Sequence, residues 1–193
     1  MALPPQFIII GGGNGSGKST SAALVLPGEI PYINADEIAK GLPEVKGENK
    51  DARASRILIK AMDEHEARRQ NFAIETTLAS RSLAPRAARL RAAGYQFQLL
   101  FLWLDSPELN ILRVAERVRK GGHHIPEGVI RRRYVAGLKN FFSLYLPLAD
   151  IWRAYDNSAL DDPQFVARGQ QGQPETVFLP DTWNRMKEIA DNE

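Results

Sequence analysis

The sequence contains no cysteine. That excludes disulfide bonds, cysteine-ligated metal centres and a thiol nucleophile. Long apolar runs are lacking too. The longest, from Leu99 to Leu104, falls far short of the roughly 20 residues of a membrane-crossing helix and reads instead as a central strand. No basic segment precedes an apolar stretch at the N-terminus, and Pro4 and Pro5 interrupt it, so no signal peptide is expected. Charge of one sign is not in excess. The 25 Lys and Arg against 23 Asp and Glu leave a net charge of +2, too little for a basic field that would collect DNA or RNA. Internal repeats and low-complexity tracts are absent. These absences predict a cytoplasmic chain with neither a membrane nor a nucleic-acid partner. What remains, 193 residues with 44% hydrophobic and 25% charged side chains, is an ordinary globular composition with ample chain for a core.

One stretch organises the rest. Gly12-Gly13-Asn14-Gly15-Ser16-Gly17-Lys18-Ser19 fits the phosphate-loop pattern G-x-x-x-x-G-K-[ST] at every defined position. The apolar run Phe7 to Ile10 before it suits a buried parallel strand, and Ser21 to Leu26 after it can continue as a helix. Glycines let backbone N–H groups close on phosphate oxygens, and the helix presents its positive end to the same anion. Lys18 is expected on the terminal phosphates, and the Ser19 hydroxyl on Mg²⁺. Thr20, Arg113 and Arg117 complete the expected nucleotide-binding set.

Polar groups recur at the ends of the following strands. Tyr32-Ile33 leads to Asn34-Ala35-Asp36, where Asp36 is either a functional carboxylate or the cap of the next helix. Phe72-Ala73-Ile74 leads to Glu75-Thr76-Thr77, where Glu75 is either a site residue or a surface carboxylate. Leu99 to Leu104 leads to Asp105, which is either a metal-positioning carboxylate or the start of the helix at Pro107. His65 lies near the apolar stripe of a helix expected over 51–70 and reads as structural. Farther on, Arg113, Arg117, Arg119 and Lys120 precede Gly121-Gly122, and Arg131-Arg132-Arg133 follows. A glycine hinge between two basic helix ends predicts a mobile arm, around residues 117–133, over the phosphates. Successive helical residues point about 100° apart, so only one or two of the three adjacent arginines can serve one site.

Alternation of strands and helices predicts an α/β fold with a mainly parallel five-stranded sheet wound on both sides. Residues 159–193 are expected to add a small hairpin and a helix to what is otherwise a single domain over 1–193. Right-handed crossovers would gather the phosphate loop, Asp36, Glu75, Thr76, Thr77 and the arginine arm at one sheet edge. That set suits phosphoryl transfer from ATP to a hydroxyl of a small molecule. Lys18, Mg²⁺ on Ser19 and arginines would surround the phosphoryl oxygens, and Asp36 would receive the acceptor proton. A closing arm that excludes water favours a kinase over a simple ATPase.

The ordered set of Gly12 to Ser19, Tyr32 to Asp36, Ile74 to Thr77, Arg117 to His123, Pro126-Glu127 and Ile130 to Tyr134 resembles the zeta toxin-like P-loop kinases, in particular a short branch labelled as predicted ABC-type ATPases. The resemblance implies a three-layer fold related to adenylate and shikimate kinases. It also implies a catalytic Asp at Asp36, a substrate contact at Glu75, and phosphate-contacting catalytic arginines at Arg119 and within the Arg131–Arg133 triplet, represented by Arg132. Zeta toxins phosphorylate a sugar hydroxyl of UDP-N-acetylglucosamine, which makes a nucleotide sugar the implied acceptor and an antitoxin protein the implied partner. Alternatives are a module whose main event is antitoxin control, or a nucleotide-binding regulator without transfer. The chain is shorter than many zeta toxins, lacks an obvious extended substrate-binding region, and carries no LSGGQ-like signature.

Overall fold

Strand β1 (Gln6–Gly12) is an interior strand of the sheet, and its side chains alternate between two apolar layers. Phe7 and Ile9 enter the larger cluster, with Met62, Leu90, Phe97 and Trp152; Ile8 and Ile10 enter the smaller one, with Ala22 and Leu102. A strand covered on both faces needs such a continuous apolar run. The computed structural model describes residues 3–26, 28–159 and 162–192. Pro27, a proline whose position after Ser21 to Leu26 reads as a helix stop, and residues 160, 161 and 193 of the expected C-terminal appendage lie outside them.

In chain order β1 is followed by α1 (Lys18–Val25), β2 (Tyr32–Ile33), α2 (Ala35–Gly41), α3 (Lys50–Ala67), β3 (Phe72–Thr76), α4 (Leu83–Ala92), β4 (Gln96–Trp103), α5 (Pro107–Arg119) and α6 (Glu127–Asn140). Then come β5 (Ile151–Asp156), β6 (Gln164–Gln170), β7 (Gln173–Val177) and α7 (Pro180–Asp191). The strand order is β2-β3-β1-β4-β5-β6-β7. The first five strands run parallel, and β6 and β7 are antiparallel additions. The sheet therefore has seven strands rather than the five expected. The C-terminal hairpin does not stand apart. It pairs with the free edge of β5, whose backbone N–H and C=O groups would otherwise lack partners.

Helices α3, α4, α6 and α7 cover the larger apolar layer, and α1 covers the smaller. Ile130, Tyr134, Leu138, Phe141 and Tyr145 are buried as their spacing predicts, and α6 runs on through a wider turn over Phe141–Tyr145. Fully burying each of the large side chains here, such as Phe7, Phe141 or Trp152, stabilises by about 1.5–3 kcal/mol. His65 is structural: its ring stacks on Phe72 at 5.7 Å and its Nδ1 meets Gln70 Oε1. No helix among the described residues is long and apolar enough to cross a membrane.

Candidate phosphate and acceptor site

The carboxyl ends of β1, β2 and β3 open on one cavity of about 390 Å³. The phosphate loop forms its floor. Gly17 stands where the helix α1 begins, at φ 86°, and a Cβ there would sit 2.5 Å from Asn157 Nδ2. Only glycine meets both demands. Two asparagines brace the loop from behind. Asn157 Nδ2 donates to Ser16 O at 2.8 Å, and the buried Asn110 donates from Nδ2 to Asn14 O at 2.6 Å. Neither was legible as a loop brace, because both contacts span long stretches of chain. Lys18 Nζ donates to Gly13 O at 2.8 Å and lies 3.9 Å from Glu75 Oε1. Burial pushes the Lys18 ammonium below its usual range, and Glu75 and Asp36 pull against that shift.

Glu75 is the hub of the cavity, not a surface carboxylate: its side chain is 11% exposed. Its Oε2 accepts from Ser19 Oγ at 2.7 Å, from Asn34 Nδ2 at 3.1 Å, and from the Tyr32 hydroxyl. Burial and the Glu75 carboxylate hold the Tyr32 phenol well above its ordinary pKa. Ser19 donates its proton to Glu75, and its oxygen, which accepts only a long contact from Asn34 Nδ2 at 3.5 Å, keeps lone-pair capacity for a cation. The residues present therefore fit Mg²⁺, which takes a hydroxyl and phosphate oxygens and keeps much of its water. Among the described residues no three His, Cys, Asp or Glu side chains gather into a metal cage. Asp105 is elsewhere. Its carboxylate accepts from Ser106 Oγ, and Ser106, not Asp105, caps α5.

Asp36 is not a cap either. Asn34 caps α2 by accepting from the Asp36 and Glu37 amides, which leaves the Asp36 carboxylate half exposed and facing the cavity. Its Oδ2 lies 4.0 Å from Arg117. Arg117 also donates to His123 O at 2.9 Å, tying α5 to the Gly121–His123 turn. Arg113 donates to Ser158 O at 3.0 Å. Both guanidinium groups line the cavity and retain a buried Nε–H without a partner.

The remaining expected residues divide by position. Asn14, Gly15, Gly17, Ser19, Thr20, Thr76 and Thr77 line the same cavity as Lys18 and Asp36. Gly12, Gly13 and Ser16 do not: Gly12 packs against Leu102 O, and Ser16 is fully buried beneath the loop. Arg119 is exposed and lies away from the cavity lining. Arg132 is exposed and faces a neighbouring cavity; it is Arg133 that lines the phosphate cavity, with NH1 3.4 Å from Asn14 Oδ1. Arg133 shares the stripe of Ile130, Tyr134 and Gly137, and that periodicity was the available signal for choosing it.

Comparison with known proteins adds three observations. A sequence model described as Zeta toxin matches residues 2–159. An uncharacterized protein of Haemophilus influenzae is 31% identical over 125 residues, 64% of this chain and 88% of that protein. Among solved structures, a chain of the AvrRxo1-ORF1:-ORF2 complex with ATP superposes with a TM-score of 0.78 at 13% identity. That match covers 97% of this chain and 65% of the other, so this chain spans under two thirds of its length. A chain from the PezAT chromosomal toxin–antitoxin system of Streptococcus pneumoniae superposes at 0.65 with 19% identity, over all of this chain and 80% of that one.

Proposed function

Because the chain belongs to the Zeta toxin family, a family of kinase-type, nucleotide-binding proteins, we propose that it transfers the γ-phosphoryl group of ATP, with Mg²⁺, to a hydroxyl of a small metabolite. The observation that carries this reading is the position of Asp36. Its carboxylate lines both the phosphate cavity and the two cavities beside it, so it borders the nucleotide on one side and an acceptor on the other. Three arginines, Arg113, Arg117 and Arg133, line the phosphate cavity beside Lys18 and support an anionic occupant.

Each residue then has a task. Lys18 and the loop amides hold the β- and γ-phosphates. Arg117 and Arg133 neutralise charge on the phosphoryl oxygens, and Arg113 supports the same side. Glu75, fixed by Tyr32 and Asn34, orients Ser19. Bound Mg²⁺ supplies charge neutralisation of the phosphates. Asp36 accepts the acceptor O–H proton as the acceptor oxygen bonds to the γ-phosphorus. The bond from that phosphorus to the β,γ-bridging oxygen breaks and leaves ADP. The Gly121–His123 turn, tied by Arg117, acts as the lid that keeps water out.

The test is Asp36→Asn. Nucleotide binding should persist while transfer falls by about 10²–10⁴-fold, the usual worth of a general base. Unchanged turnover, read as ADP release with product mass, would refute the assignment. ATP binding with no phosphorylated product over a broad acceptor panel, UDP-N-acetylglucosamine included, would favour a nucleotide-binding regulator instead. An antitoxin partner is a second reading, supported by the toxin–antitoxin system that supplied the PezAT chain. Growth arrest on expression, relieved by a co-expressed neighbouring gene product, is its expected sign.

A further inference from the structure

The two faces of the sheet are covered unequally. The larger apolar layer lies under α3, α4, α6 and α7, whereas α1 packs on the smaller layer over β1, β3 and β4. Across β5 and β6 that second face is open. Trp152, Ala154 and Ala167 point into the larger layer, and their alternating neighbours Arg153, Arg168 and Gln170 are exposed on the other side. A sheet built on parallel strands ordinarily carries helices on both faces. We propose that this open face docks an acidic amphipathic helix of another protein, which supplies the missing layer. The proposal stands apart from the transfer reading. Neither arginine lines the phosphate cavity, and β6 and β7 lie beyond residue 159, where the family match ends.

Charge is the first observation. The register sets Arg153 directly opposite Arg168, and like charges so placed destabilise a sheet. Neither guanidinium has an ion pair or hydrogen bond among the described residues. The carboxylates nearby in the chain do not relieve them: Asp156 accepts from Ser158, Asp162 accepts from Gln164, and Glu175 of β7 pairs with neither arginine. A carboxylate brought from outside and set between the two would serve both.

The second observation is a row of rings beside the arginines. Tyr155 stacks on Phe165 at 4.8 Å, Phe165 stacks on Phe178 at 4.7 Å, and Phe178 is 46% exposed. Aromatic side chains and arginine together are what protein interfaces enrich. These rings cover one another's faces. They offer edges to aliphatic side chains rather than the open faces on which nucleobases stack. The third observation concerns the rival modes of protein docking. Pro174 and the register shift between Arg168 and Gly169 blunt the outer edge of β7 against an added strand. A second copy docked through the same face would set arginines against arginines. A helix with leucines toward the rings and glutamates toward Arg153 and Arg168 meets both demands of the face.

The probe is a synthetic helical peptide of about 15 residues, with leucines one turn apart along one face and glutamates flanking them. Its control carries glutamine for every glutamate. Each is titrated into the isotope-labelled full chain while backbone amide shifts are followed. The shifts should cluster on β5, β6 and β7. The glutamate peptide should bind about fivefold or more tighter than its control, the worth of an exposed ion pair. Arg153→Gln combined with Arg168→Gln should erase that margin, and saturating ADP with Mg²⁺ should leave it unchanged. Absent or scattered shifts, competition by ADP, equal binding of the two peptides, or a margin that survives the double variant overturns the proposal. So does tighter binding of a uridine oligonucleotide to this face, or self-association through it in sedimentation. A further readout needs no probe. Arg168→Gln removes one of two repelling charges, so Tm should stay level or rise slightly. A lowered Tm would mean that the guanidinium is satisfied within the fold, and would also overturn the proposal.

Discussion

Tyr32, Asn34 and Ser19 all donate to one oxygen of Glu75, so the carboxylate that orients the cation-facing hydroxyl is itself held by three groups. Tyr32→Phe keeps the ring in its apolar setting and removes one donor. The loss of one hydrogen bond, about 1 kcal/mol, should raise the Mg²⁺ concentration needed for half-maximal turnover about fivefold. Nucleotide affinity without the metal should not move. A magnesium titration at saturating ATP checks this, and an unshifted midpoint would remove Tyr32 from the site. Of these residues Ser19 and Glu75 stood out in the sequence, because their motif and strand-end position carry the signal. Tyr32 and Asn34 did not, since a strand tyrosine and a capping asparagine have ordinary local explanations. Only the side-by-side pairing of β2 and β3 reveals their common target.

At the scale of the element, α6 decides which arginine meets the phosphates. Tyr134 donates to Leu104 O at 2.9 Å and accepts from Trp103 Nε1 at 3.0 Å, and Asn140 donates to Leu78 O at 2.8 Å. These bonds fix the rotation of the helix, and with it the direction of Arg133. Gly137 lets α6 press against the loop after β3, where a Cβ would fall 2.4 Å from Thr77 O. Gly137→Ala sets two effects against each other. Alanine favours the helix by up to about 1 kcal/mol, whereas overpacking against a backbone carbonyl costs about 1–3 kcal/mol. The clash should win, lowering Tm by several degrees and weakening phosphate binding, as Thr77 and Arg133 shift together. A calorimetric scan that showed a raised Tm would mean that the helix moves aside freely. The apolar spacing of α6 predicted its buried face. The arginine was harder to choose, because a run of three like residues hides the phase that the buried stripe sets.

For the whole molecule, pH stability follows from buried phenols. Burial pushes Tyr134 and Tyr145 up to about 12 from an ordinary value near 10. Both stay protonated in the fold between those values, while an unfolded chain loses the protons. The unfolded state therefore binds fewer protons, and stability falls as pH rises from about 10 towards 12. Equilibrium denaturation in urea should show a level midpoint below pH 10 and a declining one above it, and a midpoint that stays level to pH 12 would contradict the assignment. Alternation of strands and helices made the parallel sheet legible. The extension to seven strands was not, because a hairpin reads the same whether it floats or docks, and only the unpaired edge of β5 decides.

The two asparagines behind the anion cradle have a consequence for biosynthesis. The signature that announces nucleotide binding, Gly12 to Ser19, leaves the ribosome before either asparagine. Its rigidity depends on Asn110 and Asn157, which are translated much later and reach back across 96 and 141 positions. A nascent fragment that stops short of them displays the complete motif but lacks the scaffold that shapes it, so competence for phosphate arrives only after both asparagines have been made.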